Sequence, residues 1–314
     1  MMHYSVLESK DIQEILSQYG DYIVQSSKVL SGGSENTNYL VKTHNNAFVL
    51  TICEQKSTIK ANELASLLEY LRHHDFVTSH LVKTLNGALT SVWCNKPVML
   101  KVFIEGEYIE DIPNQLLQCL GNQLAKLHQI DAPNYLSQTV SYGLEYFDRV
   151  KLYDPESSFY IWLKQTQKYI ESYIHPELPK AMIHSDVFDS NIIVNPDGKH
   201  ATIMDFEEVC YYYRVFDIGM MIIGTCAEGT NVNLNKAASI IKGYQQEIKL
   251  LSVEIEALQA FTAYGAAAIA YWRHQNFNYV KVDPAMSNHY QAMQTLANTV
   301  MNFSLQEFKT GCNV

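Results

Sequence analysis

Between Met182 and Glu208 the chain reads MIHSDVFDSNIIVNPDGKHATIMDFEE, so that His184, Asp186, Asp189, Asn191, Asp205, Glu207 and Glu208 are interleaved with short apolar runs. A carboxylate carried into such surroundings without a partner is costly, and any fold that accepts this stretch must supply a cation, a ligand or a full set of hydrogen bonds. Residues 181–186 read as a short strand entering a loop, and 191–195 as a strand. Pro196-Asp197-Gly198 is a turn, and 201–206 is the returning strand. Asn191 and Asp205 then fall at the outer ends of a hairpin, with Asp186 on the loop before it. A loop carboxylate beside an Asn and an Asp suits one general base and two hard oxygen ligands, the kind magnesium takes when it also holds phosphates. The plainer alternative is a surface hairpin whose polar ends are satisfied by turns and water. It accounts for any one of these residues more readily than for His184, Asp186, Asn191 and Asp205 together.

The rest of the chain places this stretch. At 314 residues it is long enough for two lobes. The first hundred residues are strand-rich: alternating or β-rich runs occur at 22–30, 37–42, 47–53, 77–84, 88–93 and 98–104, with a short helix expected over 12–19 and a longer one over 60–73. After Gly106 the periodicity becomes helical, at 115–130, 159–174, 216–226, 236–248, 255–276 and 289–308. The expectation is an α+β chain in two parts, 1–104 β-rich and 105–314 helical, joined near 104–108, with the 182–208 stretch as the β interruption of the helical part.

Composition removes several classes of function. With 23 Lys and Arg against 33 Asp and Glu the formal charge is −10, and no basic run occurs, which argues against a nucleic-acid or anionic-membrane surface. The apolar stretches fall short of the ~20 residues that span a bilayer. The N-terminal residues lack a basic region followed by an apolar one, so a cytoplasmic protein is expected. Six scattered cysteines without a Cys-x-x-Cys pair read as reduced thiols, and no zinc-ligand spacing is present. The sequence leaves the oligomeric state open.

His-Ser-Asp at 184–186, Asn191 five residues after Asp186, and Asp205-Phe206 fourteen further resemble the catalytic loop and metal-binding Asp of the protein-kinase-like small-molecule kinases, the superfamily of aminoglycoside, choline and homoserine kinases. That resemblance implies a bilobal protein-kinase-like fold with ATP and Mg2+ as cofactors, 1–104 as the nucleotide-binding lobe and 105–314 as the catalytic and substrate lobe. It implies that Asp186 accepts the proton of a substrate hydroxyl, that Asn191 and Asp205 bind the metal, and that His184 supports the loop. GGSENTNYLV, followed by FVLT, ANEL and FIEGE, is similar to the start of bacterial homoserine kinases of this type. Ser31, Gly32, Gly33, Ser34 and Asn36 would then cover the phosphates.

The departures are informative. Most kinases of this fold have a phosphate-binding Lys in the third strand; here Thr51 stands there, as it does in homoserine kinases of this type. Lys56 paired with Glu63 is the expected replacement. Ser185 occupies the place of the usual Gly in His-Gly-Asp, and it fits unless the backbone there needs a positive φ. For an amino-acid substrate, Glu207 and Glu208 could meet the ammonium and Arg273 the carboxylate. Arg273 could equally be a helix-end charge, and Arg214 with Asp217 reads as a structural ion pair. Tyr211–Tyr213 and Trp272 keep a choline-like reading open, because aromatic faces bind quaternary ammonium. The expected activity is phosphorylation of a small hydroxyl metabolite, with L-homoserine first. The alternatives are a choline, amino-sugar or aminoglycoside kinase, or a pseudokinase-like binding module.

Overall fold

The computed structural model describes residues 5–30 and 36–314. The chain forms two compact units: Met1–Glu105 with Met204–Glu207, and Gly106–Ile203 with Glu208–Val314. The excursion of Met204–Glu207 into the first unit carries Asp205, and nothing in the local composition marks it.

The first unit is a five-stranded antiparallel sheet. Its strands are β1 (Val24–Leu30), β2 (Asn36–Thr43), β3 (Ala47–Cys53), β4 (Ser91–Trp93) and β5 (Lys96–Val102), in the order β1-β2-β3-β5-β4. Alternation along β2 and β3 puts Tyr39, Val41, Phe48, Leu50 and Ile52 in the core, where they meet Ile12, Ile15 and Leu16 of α1 (Ser9–Ser17). Cys94 and Asn95 both have positive φ, 46° and 63°, which gives the two-residue connection between β4 and β5 a twist that matches the strands it joins. α2 (Thr58–His73) starts where the Ser57 side chain accepts from the Lys60 amide, and it buries Ala61, Leu64, Ala65, Leu67, Leu68 and Leu71. The strand expected over 77–84 is absent. A single bridge joins Leu81 to Lys101, and the Thr84 hydroxyl accepts from the Ala88 amide at 2.9 Å, diverting the backbone into a turn.

The second unit is mostly helical: α3 (Asn114–Gln129), α4 (Leu144–Phe147), α5 (Ser158–Glu171), α6 (Arg214–Thr225), α7 (Leu234–Tyr244), α8 (Ser252–Gln275), α9 (Tyr290–Asn302) and α10 (Leu305–Cys312). Among the described residues three short antiparallel pairs interrupt the helices, β6 (Lys180–Ile183) with β9 (Cys210–Tyr213), β7 (Ile192–Val194) with β8 (Ala201–Ile203) and β10 (Ala227–Glu228) with β11 (Asn231–Val232). β9 and the last pair lie beyond the 182–208 stretch expected to be the β interruption. α8 is buried on almost every face, which its small residues Gly265, Ala266, Ala267 and Ala268 allow. α6 packs so closely that a Cβ on Gly219 would lie 2.6 Å from the Phe261 carbonyl oxygen, and one on Gly224 2.2 Å from that of Val187, beside the Asp186 loop. The helix expected over 289–308 is two helices. Ser304 and Glu307 form a reciprocal cap that starts α10 afresh, a signature present in the sequence as Ser-x-x-Glu. Among the described residues no helix is long and apolar enough to cross a membrane.

Candidate active site

Strand β6 delivers the chain to His184, Ser185 and Asp186, where Asp217, in the first turn of α6, takes hold of the backbone. Its Oδ2 accepts from the His184 amide and its Oδ1 from the Ser185 amide, both at 2.7 Å. Asp217 is fully buried, and His128 Nε2 lies 3.0 Å from its Oδ2 while His128 Nδ1 faces the Tyr244 hydroxyl at 2.8 Å. A buried carboxylate is stable here because amides, an imidazole and a helix N-terminal turn surround it. The expected pair of Arg214 with Asp217 does not form. The Arg214 guanidinium makes a two-pronged contact with Glu254 instead, at 2.7 and 2.6 Å, a geometry that a carboxylate forty residues away on α8 offers and one on its own helix turn does not.

The loop then folds on itself. The Asp186 amide donates to His184 Nδ1 at 3.2 Å, and Asn191 Nδ2 donates both to the Asp186 main-chain carbonyl at 2.8 Å and to its Oδ2 at 3.0 Å. Asn191 thus orients the Asp186 carboxylate with its amide nitrogen, so its oxygen is the end available to a hard cation. An oriented, partly buried carboxylate of this kind can accept a proton from a hydroxyl brought within hydrogen-bond reach.

Ser185 has φ 67°, so the position does call for the left-handed backbone that glycine adopts freely. Its hydroxyl donates to the Glu208 main-chain carbonyl at 2.7 Å, and its own carbonyl accepts from the Tyr142 hydroxyl at 2.8 Å. The Ser141 hydroxyl donates to the Glu208 carboxylate. Burial, and then the Asp186 and Glu208 charges, push the Tyr142 hydroxyl well above its ordinary pKa, so it remains a donor. Ser141, Tyr142, His128 and the role of Asp217 are not evident from the sequence, because no local spacing links them to 184–186.

Arg273, near the end of α8, is half-buried. Burial lowers its pKa and the charge of Asp186 opposes that shift. Among the described residues its guanidinium has no ion-pair or hydrogen-bond partner. Tyr212 and Tyr213 are occupied by packing: Tyr212 against Phe216 and Tyr264, Tyr213 against Phe261 and under the Lys180 ammonium. Trp272 packs against Phe277.

In the first unit, Ser31, Gly32, Gly33 and Ser34 lie outside the described residues. Lys56 is not paired with Glu63. Its ammonium contacts Glu207 at 2.6 Å, with only 16% and 13% of the two side chains exposed, whereas Glu63 pairs with Lys60, one turn away on α2. Helical spacing decides the second pair. Asn36 Nδ2 also donates to Glu207, at 2.5 Å. Thr51 is fully buried, and its hydroxyl donates to Asn38 on the neighbouring strand at 2.8 Å. Asp205 is exposed with φ 62°, and the following Phe206 is buried edge-on against Phe76.

The sequence pattern of the phosphotransferase enzyme family matches residues 26–247. The chain belongs to that family. It is a small-molecule kinase, a phosphotransferase with an alcohol group as acceptor. Among its relatives are a homoserine kinase of Rhizobium meliloti (strain 1021), 24% identical over 268 residues covering 82% of this chain and 81% of that one, and a homoserine kinase of Nitrobacter winogradskyi, 26% identical over 277 residues covering 85% and 84%. Solved structures with the same protein-kinase-like fold include a spectinomycin phosphotransferase in complex with ADP and spectinomycin, with a TM-score of 0.72 at 14% identity, covering 95% of this chain and 100% of that one. A microcompartment-associated aminopropanol kinase matches with a TM-score of 0.70 at 17% identity, covering 97% and 98%.

Proposed function

We propose that this kinase uses ATP and magnesium to phosphorylate the hydroxyl of L-homoserine. The observation that carries the substrate is Arg273. A half-buried guanidinium whose N–H donors have no protein acceptor among the described residues calls for an anionic ligand, and the Asp186 charge acts on it. A carboxylate-bearing substrate supplies that anion, and choline or an aminoglycoside does not. The homoserine kinases among the relatives point the same way.

In this reading Asp186, oriented by Asn191, receives the hydroxyl proton as the oxygen attacks the terminal phosphate. Asn191 and Asp205 would hold magnesium. Their donors fit it, one amide oxygen left over from the bonds to Asp186 and one exposed carboxylate, both hard oxygens. When bound, the ion neutralises charge on the phosphates. Thr51 has no charge to offer them, and Lys56, steadied by Glu207 rather than Glu63, is the cation of the first unit assigned to the nucleotide, with Asn36 beside it. Since Glu207 is engaged by Lys56 and Asn36, Glu208 is the acid assigned to the substrate ammonium.

The test is an ADP-release assay with magnesium and ATP across homoserine, choline, ethanolamine and aminoglycosides, preceded by a thermal-shift titration with the nucleotide. Turnover with homoserine far above the others is the expected result. Turnover with choline or an aminoglycoside and none with homoserine would overturn the substrate assignment.

A further inference from the structure

The kinases that this sequence resembles carry glycine between the loop His and Asp, and this chain carries serine at a backbone conformation that glycine alone adopts without strain: φ is 67° at Ser185. A side chain kept at such a position needs a compensating contact. Ser185 is fully buried and every polar group it has is engaged. Its amide donates to Asp217 Oδ1, its carbonyl accepts from Tyr142, and its hydroxyl donates to the main-chain carbonyl of Glu208 at 2.7 Å. Glycine would keep the first two bonds. The third belongs to the hydroxyl.

Glu208 lies three residues after Asp205 in the chain, at the point where the polypeptide re-enters the second unit. It is pinned twice, by Ser185 at its main-chain carbonyl and by Ser141 at its carboxylate. We propose that Ser185 is a positioning residue, whose hydroxyl ties the Asp186 loop to Glu208 and so sets the place of the acidic side chain relative to the base. The role assigned to Glu208 rests on the homoserine reading; the tether itself does not. Without the hydroxyl, the bond from the Asp186 loop to the main-chain carbonyl of Glu208 is lost, while the Ser141 bond to its carboxylate stays.

Two substitutions separate strain from tether. Ser185→Gly relieves the backbone and removes the hydroxyl. Ser185→Ala keeps the strain and removes the hydroxyl. Ser185→Gly should unfold at the same temperature as the parent or higher, and Ser185→Ala lower. Both should raise KM for homoserine by about three- to tenfold, the worth of one hydrogen bond, with KM for ATP within about twofold. A residue kept only for stability would give Ser185→Gly a KM like the parent's, and that result overturns the proposal. Hydrogen exchange of the peptide covering residues 205–212 gives a readout that needs no turnover. It should quicken in both variants relative to the parent, and unchanged exchange would overturn the tether. If the parent protein turns over no homoserine, the substrate reading fails, while the exchange comparison still decides the role of Ser185.

Discussion

The loop that carries Asp186 and the segment that carries Asp205 each turn on one residue of left-handed backbone, φ 67° at Ser185 and 62° at Asp205, but different forces hold them. The Asp186 loop hangs on uncharged donors that meet a fully buried carboxylate, Asp217, and on an internal lattice built by Asn191 and the Ser185 hydroxyl. The Asp205 segment is steadied by the buried Phe206 and by the ion pair of Glu207 with Lys56, which water still reaches. Buried hydrogen bonds to a charge are insensitive to salt and costly to break, whereas a partly exposed pair is weaker and screened. Glu207 and Glu208 sharpen the contrast. They are adjacent in sequence, and one serves the first unit through Lys56 while the other is fixed in the second by Ser141 and Ser185.

The largest effect expected from this difference is on turnover. Asp186→Asn keeps the bonds of the loop and removes the base, so kcat should fall by roughly 10²–10⁴ with the melting temperature nearly unchanged. Steady-state kinetics beside a melting curve checks this, and near-normal turnover in the folded variant would remove Asp186 from the mechanism. Next comes the substrate. Arg273→Ala should raise KM for homoserine about tenfold or more, through loss of a charge-assisted bond, and leave KM for ATP little changed. An unaffected KM would transfer the carboxylate to another cation. In the Asp205 segment, Glu207→Gln breaks the ion pair with Lys56 and should weaken ATP affinity by up to about tenfold at low salt, with a smaller loss at high salt. The Asp186 loop should show no such salt dependence. Equal loss at both ionic strengths would mean that the pair does not work by charge.

The smallest effect is on acid stability. Burial lowers His274 to about 4, against the opposing charge of Asp154. The unfolded chain binds this proton below its ordinary value near 6.5 and the folded chain does not, so stability is full above that value and falls as the pH drops toward about 4. In the first unit, burial pushes Glu54 up, but bonds from Lys96, Thr37 and Ser5 outweigh it and hold its carboxyl at about 2. Its contribution, present above about 4.5, is lost only as the pH falls toward about 2. Melting temperatures measured from pH 7 to 4 should therefore decline for the parent and decline less for His274→Phe, which keeps the stack on Phe159. Identical pH profiles would contradict this.

The comparison also marks what sequence can tell. The hairpin β7–β8, the grouping of Asp186 with Asn191 and most of the helices follow from periodicity and from turn residues such as Pro196-Asp197-Gly198, because these are local preferences; the absence of a strand over 77–84 and the presence of β9 do not. The partner of Lys56 does not follow: Glu63 stands seven positions away, but the carboxylate that reaches the ammonium is Glu207, 151 positions on. Asp217 likewise looks like a neighbour for Arg214 until Glu254 takes the guanidinium. In each case the contact is made across the fold, and local spacing carries no trace of it. The need for a positive φ at Ser185 is legible only as a question, because serine has no local preference for that conformation.

The division of labour between the two carboxylates is the central claim, and a titration of MgATP against Asp186→Asn and Asp205→Ala side by side tests it most directly. The account predicts that Asp186→Asn binds MgATP within about twofold of the parent, while Asp205→Ala loses the magnesium dependence of its nucleotide affinity. Retention of the full magnesium dependence by Asp205→Ala, or its loss in Asp186→Asn alone, would contradict it.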